Sequence, residues 1–457
     1  MATQEHLTLR MVRLRPREEW GRNGQGLAFV LAKKHTGRRS RCHWWIGPGA
    51  AALAILTSGQ GRAQDALQVL RADLAAAGAR RSNLETQPYT LKVDEFRMLA
   101  SSGLDLDWND NVNAAQHGAE SDFVVRPTGL LTASYPVTQN SLLSLNVTAG
   151  YSKYLEHDEF SAVFIGSGSG LALDLDAGQF TFDVHDRMQY IQDSTQQSSV
   201  AGTGLYGLFD NAAGLMGTWD LNDLAPSLGY DHENYIASSS SFSYTTHASE
   251  DFFARTTLRV QPRLSLGLEA TAAFTTYQEK VLNDSTDLSA GLFAEWRPNS
   301  AFRLTARGGY VAYLFDQTGT RIPASNQDTW YVDVTATDQV TDKISAGLSA
   351  GRELRLGISS DVVTVWYARP GLAWRVLRDV SARATAAYEN GSQDLGVLPG
   401  SPHEGYDWCS IDLGLTYSAR RNIIMSLDYR LTLRYSNVSP LSYTQDQIGF
   451  TLTYAFQ

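Results

Sequence analysis

The chain has 457 residues, of which 43% are hydrophobic and 19% charged, and its formal net charge is -10. No run of about 18 apolar residues occurs, which excludes a bundle of transmembrane helices, and the aromatic content excludes a disordered chain. The two cysteines exclude a disulfide framework.

The N-terminal residues 1–63 are typical of an extension followed by an export signal. A basic run from Lys33 to Arg41 precedes an apolar stretch from Trp44 to Leu56, and the small residues around Ala63 suit a signal peptidase. A single-pass anchor would need about 20 apolar residues, so it is the weaker alternative. Removal of these residues, with 11 basic and 3 acidic side chains, takes the net charge from -10 to -18. We therefore predict no nucleic-acid partner, because an exported chain with this negative charge would be repelled by phosphates.

Residues 64–97 are expected to form a periplasmic helix and a linker. Leu67, Leu70 and Leu74 recur at helical spacing, and Pro88 ends the pattern. A mobile tail is the alternative for this segment.

Residues 98–457 alternate between polar and apolar side chains. In the last segment, Ile448, Phe450 and Leu452 share one face while Thr451 and Thr453 share the other, as in a strand that is wet on one side only. We predict eighteen strands, with sixteen as the alternative count. Their expected spans are 98–109, 120–135, 140–154, 170–177, 179–192, 208–221, 224–237, 247–261, 263–279, 286–297, 301–316, 328–339, 342–357, 361–376, 379–391, 406–418, 421–435 and 444–457.

The connections between these strands alternate in length. Tight turns such as those at Ala177 and Asn222 alternate with longer polar segments at 155–169, 192–207, 237–247, 316–328 and 391–405. This rhythm predicts an all-β fold, a transmembrane antiparallel β-barrel in the bacterial outer membrane with both termini in the periplasm. A soluble β-sandwich or propeller is the alternative, but neither predicts the rhythm.

Aromatic residues fall near the predicted strand ends, as in the girdles that meet lipid headgroups. Phe456 stands where a signal for the barrel-assembly machinery would be, although Gln457 follows it. The predicted partners are therefore outer-membrane lipid and that machinery. The aromatic residues are Trp108, Tyr135, Tyr151, Tyr154, Tyr190, Trp219, Tyr277, Trp296, Trp330, Trp374, Tyr417, Tyr435, Tyr454 and Phe456.

Charged side chains on the face opposite the apolar one are candidates for lining the lumen. Acidic residues come from the early strands and arginines from the later ones, which would give a transverse field that favours polar solutes. Local ion pairs in a polar lining are the alternative, and an arginine-rich side would also suit anionic sugars. The candidates are Asp105, Asp107, Asp174, Asp176, Asp183, Arg255, Arg259, Arg303, Arg307, Arg355, Arg369, Arg375, Arg383, Arg430 and Arg434.

Motifs for catalysis, metals and cofactors are missing from the sequence. Asp183 and His185 share a strand face, but no nucleophile signature accompanies them, so we predict no catalytic residues, no metal and no cofactor. An outer-membrane enzyme would instead show a paired Ser and His at one height on the barrel wall.

At the end of the first strand, Asp107-Trp108-Asn109-Asp110-Asn111-Val112 resembles the D-N-V opening of the β-barrel porin type 2 family. The body of glycine-rich strands after a signal is also similar. The resemblance covers about residues 98–457 and implies a link with exopolysaccharide biosynthesis and export. The motif residues are expected to act structurally in the first outer loop.

The sequence thus predicts a passive channel, with export of polar solutes or exopolysaccharide as the favoured specialisation. The alternatives are a general diffusion porin, a lipid-modifying enzyme barrel and a barrel that anchors partners at the cell surface. Loops folded into the bore would favour a general porin, since an open bore suits bulky chains.

Overall fold

The computed structural model describes residues 88–192, 198–204, 206–321, 325–397, 400 and 402–456. The expected signal and periplasmic helix lie outside the described residues. Strands dominate the described part of the chain, together with short 3-10 helices at Asp158–Phe160 and Ser240–Thr245. The strands are β1 Leu91–Val93, β2 Phe96–Asn109, β3 Asp122–Pro136, β4 Leu142–Tyr154, β5 Ala162–Ala177, β6 Phe180–Ile191, β7 Leu208–Trp219, β8 Leu224–Ala237, β9 His247–Gln261, β10 Leu264–Tyr277, β11 Ser285–Trp296, β12 Phe302–Phe315, β13 Gln327–Thr341, β14 Ile344–Leu356, β15 Val362–Arg375, β16 Val380–Asp394, β17 His403–Arg420, β18 Ile423–Ser436 and β19 Tyr443–Phe456.

Strands β2 to β19 form one closed antiparallel ring of eighteen strands. The ring closes where β19 pairs with β2, from Gln447 opposite Asn109 to Phe456 opposite Ala100. The short strand β1 pairs with the first residues of β2. The prediction of a barrel with eighteen strands is confirmed. No helix among the described residues is long and apolar enough to cross a bilayer.

The two faces of each strand differ in chemistry. Large apolar side chains such as Leu106, Leu268, Leu427 and Phe450 are exposed on the outside of the ring, where a lipid bilayer would cover them. The alternate positions point into the barrel and carry the charged residues. Because β19 pairs with β2, the sheet has no outermost strand, and the ladder between neighbouring strands supplies backbone hydrogen bonds within the wall.

Long and short connections lie at opposite ends of the barrel. Short turns join β5 to β6 at 178–179 and β13 to β14 at 342–343, whereas longer loops occupy 110–121 and 192–207. Both ends of the ring-forming segment lie on the side of the short turns. By the usual orientation of such barrels this is the periplasmic side.

Two local expectations were wrong. Residues 162–169 are not loop but the start of β5, which alternation failed to reveal because the register shifts between Ile165 and Ser169 in a Gly-Ser stretch. Tyr154 and Tyr277 do not belong to a lipid-facing girdle, since both are buried on the inner face. Trp219, Trp296 and Trp374 do lie on the exposed outer face.

Candidate functional site: the barrel interior

Strand alternation places all fifteen predicted charged residues on the inner face of the wall. On β2, for example, Leu104 and Leu106 are exposed outside while Asp105 and Asp107 take the opposite face. The structure then separates the fifteen by their burial and by the partners that each one contacts.

Described residues 198–204, 206 and 207 of the loop between β6 and β7, which we call the crossing loop, extend through the interior. The Ser198 hydroxyl donates to Glu389 on β16 over 2.6 Å, and the Ser198 carbonyl accepts from Arg434 Nε on β18 over 2.8 Å. Strands β7 and β16 are nine positions apart in the ring of eighteen, which is the largest separation that the ring allows. This loop therefore reaches from its own wall to the opposite one.

Glu389 is the centre of the network that receives the loop. It accepts hydrogen bonds from Arg355 over 3.0 and 3.2 Å and from Arg369 over 2.7 Å. One step around the wall, Arg434 donates to Glu404 over 2.8 Å and lies over the ring of Tyr406. We call Ser198, Arg355, Glu389, Glu404 and Arg434 the latch.

A second element also folds inward, the hairpin tip formed by residues 353–364 of β14 and β15. Pairing between β13 and β14 stops at Val332 opposite Arg352, so β14 is released from β13 above this point, while β15 stays paired with β16 up to Val363. Leu354, Leu356 and Val362 then pack on the inward rings of Tyr313 and Phe315. The hairpin tip thereby covers the inner face of β12 and β13.

The two inward elements meet each other. Ile358 of the hairpin tip packs with Val200 and Tyr206 of the crossing loop, and Phe242 lies against the same cluster. Asn283, from the loop between β10 and β11, donates to Asp361 through its side chain over 2.9 Å. Burial raises the pKa of Asp361 above its ordinary value. Apolar contacts and hydrogen bonds thus join loops from different parts of the rim.

A different lining remains on the arc from β16 through β19 to β3. Arg383, Gly414, Asp428, Gly449 and Asp107 occupy successive strands at one level, because each is paired with the next in the sheet. The glycines carry no side chain, so Arg383 reaches across Gly414 and its Nη2 donates to Asp428 over 2.7 Å. A methyl group at Gly414 would stand 2.6 Å from Arg383 Nε.

Two further pairs extend this lining. Arg430 donates to Asp412 on the neighbouring strand, and Arg126 donates to Asp107 and, over 3.1 Å, to the Ser152 hydroxyl. We call the six charged residues of this lining the polar wall: Asp107, Arg126, Arg383, Asp412, Asp428 and Arg430.

The polar wall borders a cavity of about 370 Å³. Tyr154 and Phe164, on the inner faces of β4 and β5, add aromatic surface, and Gln447 adds a polar group. Phe164 finds room because Gly150 lies beneath it, where a methyl group would approach the ring to 2.6 Å. The cavity lies at the periplasmic side of the latch, since Arg430 precedes Arg434 on the outward-running β18.

The acidic residues of the early strands have several distinct surroundings. Asp174 is buried opposite Asp183, and Asp183 lies 2.6 Å from His185 Nδ1. Asp176 accepts from the backbone of Gly178 and so holds the turn after β5, while Asp105 accepts from Thr128 over 3.3 Å.

The remaining predicted arginines divide by height. Arg255 pairs with Glu295 over 2.8 Å and lies over the ring of Phe293, and Arg307 is buried between Glu269 and Asp333. Near the periplasmic ends of their strands, Arg259, Arg303 and Arg375 form no ion pair with any residue that the structure describes. The arginine-rich side is therefore largely neutralised by acidic neighbours, which corrects the expectation that acid and base segregate to opposite sides.

The D-N-V motif acts structurally, in the first outer loop. Asn111 is buried and donates to the carbonyls of Ala115 and Thr444 over 2.9 Å each. Asp110 accepts from the Asp446 backbone over 2.7 Å, and burial raises its pKa. Val112 is buried against Val124. The motif thus fastens the loop after β2 to β19 at the barrel seam.

A Ser–His pair does occur on the outer rim. Ser392 Oγ lies 3.3 Å from His403 Nε2, and His403 Nδ1 lies 2.7 Å from Asp394. Acyl transfer also needs donors for an oxyanion. Here Asp394 is paired with His403 in the ladder between β16 and β17, and the nearby N–H of Gly405 donates to the Asn437 side chain. The three side chains are exposed to solvent. This arrangement resembles a catalytic triad only in the sequence of its Ser–His–Asp contacts. The barrel interior is therefore the better candidate for a functional site.

The sequence-based selection missed the acidic partners and the crossing loop. Asp412 and Asp428 lie within predicted strands on the predicted inner face, so alternation alone could have found them. Glu389 lies on the inner face by the same rule. Ser198 gave no signal, because a serine in a polar loop has no periodicity. Among the described residues, no group of three His, Cys, Asp or Glu side chains is arranged to hold a metal ion.

No protein-family model matches the sequence, and no curated protein matches it. Solved structures of outer-membrane proteins are similar in fold. OccAB3 of Acinetobacter baumannii is 10% identical with a TM-score of 0.45 and covers 80% of this chain and 100% of its own. OccK2 (OpdF) of Pseudomonas aeruginosa is 11% identical with a TM-score of 0.45, covering 78% of this chain and 98% of its own. OccK9 (OpdG) of the same organism is 12% identical with a TM-score of 0.45, covering 78% and 98%. Since all three TM-scores are below 0.5, what these proteins bind is not transferred to this chain.

Proposed function

We propose that this chain is a passive channel of the bacterial outer membrane for small polar solutes. The observation that carries the proposal is the pairing of an exposed apolar outer face with a polar wall that borders a cavity inside a closed barrel. A polar lining inside an apolar cylinder gives polar solutes a route that the bilayer does not.

The inward elements favour small solutes over polymers. The crossing loop spans the interior to Glu389 and Arg434, and the hairpin tip packs over β12 and β13. A bulky polysaccharide would have to displace both elements, whereas a small solute can use the cavity beside the polar wall. Export of exopolysaccharide, which the family resemblance implied, is therefore the less favoured specialisation.

Planar-bilayer recording tests the proposal directly. Protein purified from the outer membrane of an expressing bacterium should give stable conductance steps in KCl, and heat-unfolded protein from the same preparation is the control. Vesicles that contain the protein should swell in isotonic arabinose but not in dextran. A folded barrel that never conducts would refute the channel function. Dextran entry at the same rate as arabinose would make export of a polysaccharide the favoured function.

A further inference from the structure

The polar wall carries as many acidic as basic side chains. Arg126, Arg383 and Arg430 face Asp107, Asp428 and Asp412 on the same cavity. A site with three guanidinium groups and three carboxylates has no net charge to attract an anion or a cation from a distance. Its specificity has to come from hydrogen bonds at short range.

The ion pair between Arg383 and Asp428 is the most exposed of the three in the polar wall. Arg383 reaches Asp428 through one nitrogen only, and both side chains are accessible to solvent, Arg383 far more so. Since a guanidinium has five N–H donors and a carboxylate about four acceptor positions, donors and acceptors remain next to each other. A bidentate pair would have used two N–H groups and both carboxylate oxygens, leaving fewer donors and acceptors for a solute.

This arrangement matches adjacent hydroxyl groups. A hydroxyl both donates and accepts, so two neighbouring hydroxyls can accept from Arg383 and donate to Asp428 without separating the pair. A carboxylate or an ammonium group gains no net attraction here, because one member of the pair attracts it while the other repels it, and it still loses part of its hydration.

The spacing of the wall also suits a small ring. Neighbouring strands lie about 4.8 Å apart, so charged positions on alternate strands repeat at about 10 Å. Gly414 and Gly449 stand between them, and the side chains of Arg383 and Asp107 lie over these glycines. The cavity of about 370 Å³ falls in the range of roughly 300–1,000 Å³ typical of sites for small ligands, and Phe164 offers an apolar surface at its side.

We propose that the polar wall is a binding site for a small neutral polyhydroxylated solute, a sugar or a polyol, on its way through the barrel. The inference rests on the proposed channel function and names its solute class. It replaces the expectation of an arginine side that selects anionic sugars, because the arginines of the wall are neutralised by their own partners.

The test uses three probes of equal carbon number and different charge: glucose, gluconate and glucosamine. Vesicles with the wild-type protein should take up glucose faster than either charged probe, by about threefold for a site that offers a charged group no net attraction in return for its lost hydration. Conductance in KCl is measured on the same preparation, so that the channel itself is scored separately.

Variants of one ion pair sharpen the test. Asp428→Asn leaves Arg383 without its partner, so gluconate uptake should rise by about threefold and glucosamine uptake should fall. Arg383→Gln should have the opposite effect. The double variant Asp428→Asn/Arg383→Gln has no net charge at this position, so glucose should again be taken up fastest of the three probes. Arg378→Gln, in the periplasmic turn 376–379, removes one positive charge elsewhere and should keep the wild-type order.

The outcomes separate the site from the channel. Two results would overturn the binding site if the barrel still conducts KCl, and the channel would remain supported. One is gluconate uptake faster than glucose uptake in the wild type. The other is an order of uptake rates that none of the pair variants changes. If the folded barrel were silent, the channel would fail. Calorimetric titration of the detergent-solubilised barrel with glucose would then decide the site, with Asp428→Asn weakening binding if the proposal holds and no heat of binding refuting it.

Discussion

The same chemical pair, arginine with a carboxylate, occurs in two regions of this barrel with opposite surroundings. Arg307 and Glu269, beneath the inward elements, have side chains that are 1% and 0% exposed, whereas Arg383 and Asp428 in the polar wall are 62% and 33% exposed. A buried pair that loses one partner leaves an uncompensated charge and is costly to break, while an exposed pair contributes little to stability. The first region holds the structure together, and the second is available to solutes.

The latch belongs with the buried region and should give the largest effect. In Glu389→Gln, Arg369 loses its acidic partner, Arg355 loses one acidic partner and keeps Glu353, and Ser198 loses a charged acceptor, at a cost of about 3–5 kcal/mol. We expect the crossing loop to leave the opposite wall, with a larger and noisier single-channel conductance and a lower unfolding temperature.

Asp394→Asn is the matched control, because it removes an exposed carboxylate near the end of the same strand. It should conduct as the wild type does. An unchanged conductance in a folded Glu389→Gln barrel would mean that the latch does not hold the loop in place.

A comparison of two arginine variants tests the division itself. Arg307→Gln should lower stability by about 3–5 kcal/mol, because Glu269 and Asp333 remain buried without their cation, and should leave the reversal potential in a KCl gradient unchanged. Arg383→Gln should alter stability by less than about 1 kcal/mol and shift the reversal potential towards cation selectivity. Thermal unfolding and bilayer recording measure the two properties. The division would be wrong if both variants behaved alike.

The burial of Asp361 in the hairpin tip gives a smaller effect that depends on pH. Burial raises the pKa of Asp361 above its ordinary value of 3.8, so the folded state holds this proton more tightly than the unfolded state. The contribution to stability is therefore complete at low pH and is lost as the pH rises through the raised pKa.

Asp361→Asn should remove this part of the pH dependence, which thermal unfolding between about pH 3 and pH 7 would measure. Asp342→Asn, in an exposed periplasmic turn, should keep the wild-type dependence. A wild-type slope in the Asp361 variant would show that this carboxyl does not contribute.

The smallest effect is expected at a glycine of the polar wall. In Gly414→Ala the new methyl group would lie 2.6 Å from Arg383 Nε and 2.7 Å from Asp428 Oδ1. These flexible side chains can move apart, so the fold should survive with a shift in reversal potential smaller than that of Arg383→Gln. Gly103→Ala, on the inner face of β2 with ordinary contacts only, is the control. A wild-type reversal potential in Gly414→Ala would mean that Arg383 still reaches Asp428, and it would contradict the role proposed for this glycine.

Much of the barrel could be read from alternation. The period of two identified the strands, their number and the inner face of each, because successive side chains of a strand point to opposite sides. It failed where glycine and serine interrupt the pattern, as at Gly166 to Gly170 of β5. The expectation of a girdle at Tyr154 and Tyr277 was wrong because it used their place near the strand ends, whereas alternation puts both on the inner face.

The sequence by itself determined the wall: eighteen strands, an apolar outside and a charged inside, with long loops at one end. Only the tertiary structure decided which charges are paired, because the partners of Glu389 or Asp428 depend on register between strands that are far apart along the chain. It also decided that the loop of Ser198 crosses to the opposite wall and that the hairpin tip bends inward. Those contacts join segments separated by up to 236 residues, and no local pattern records a contact that exists only after the ring has closed.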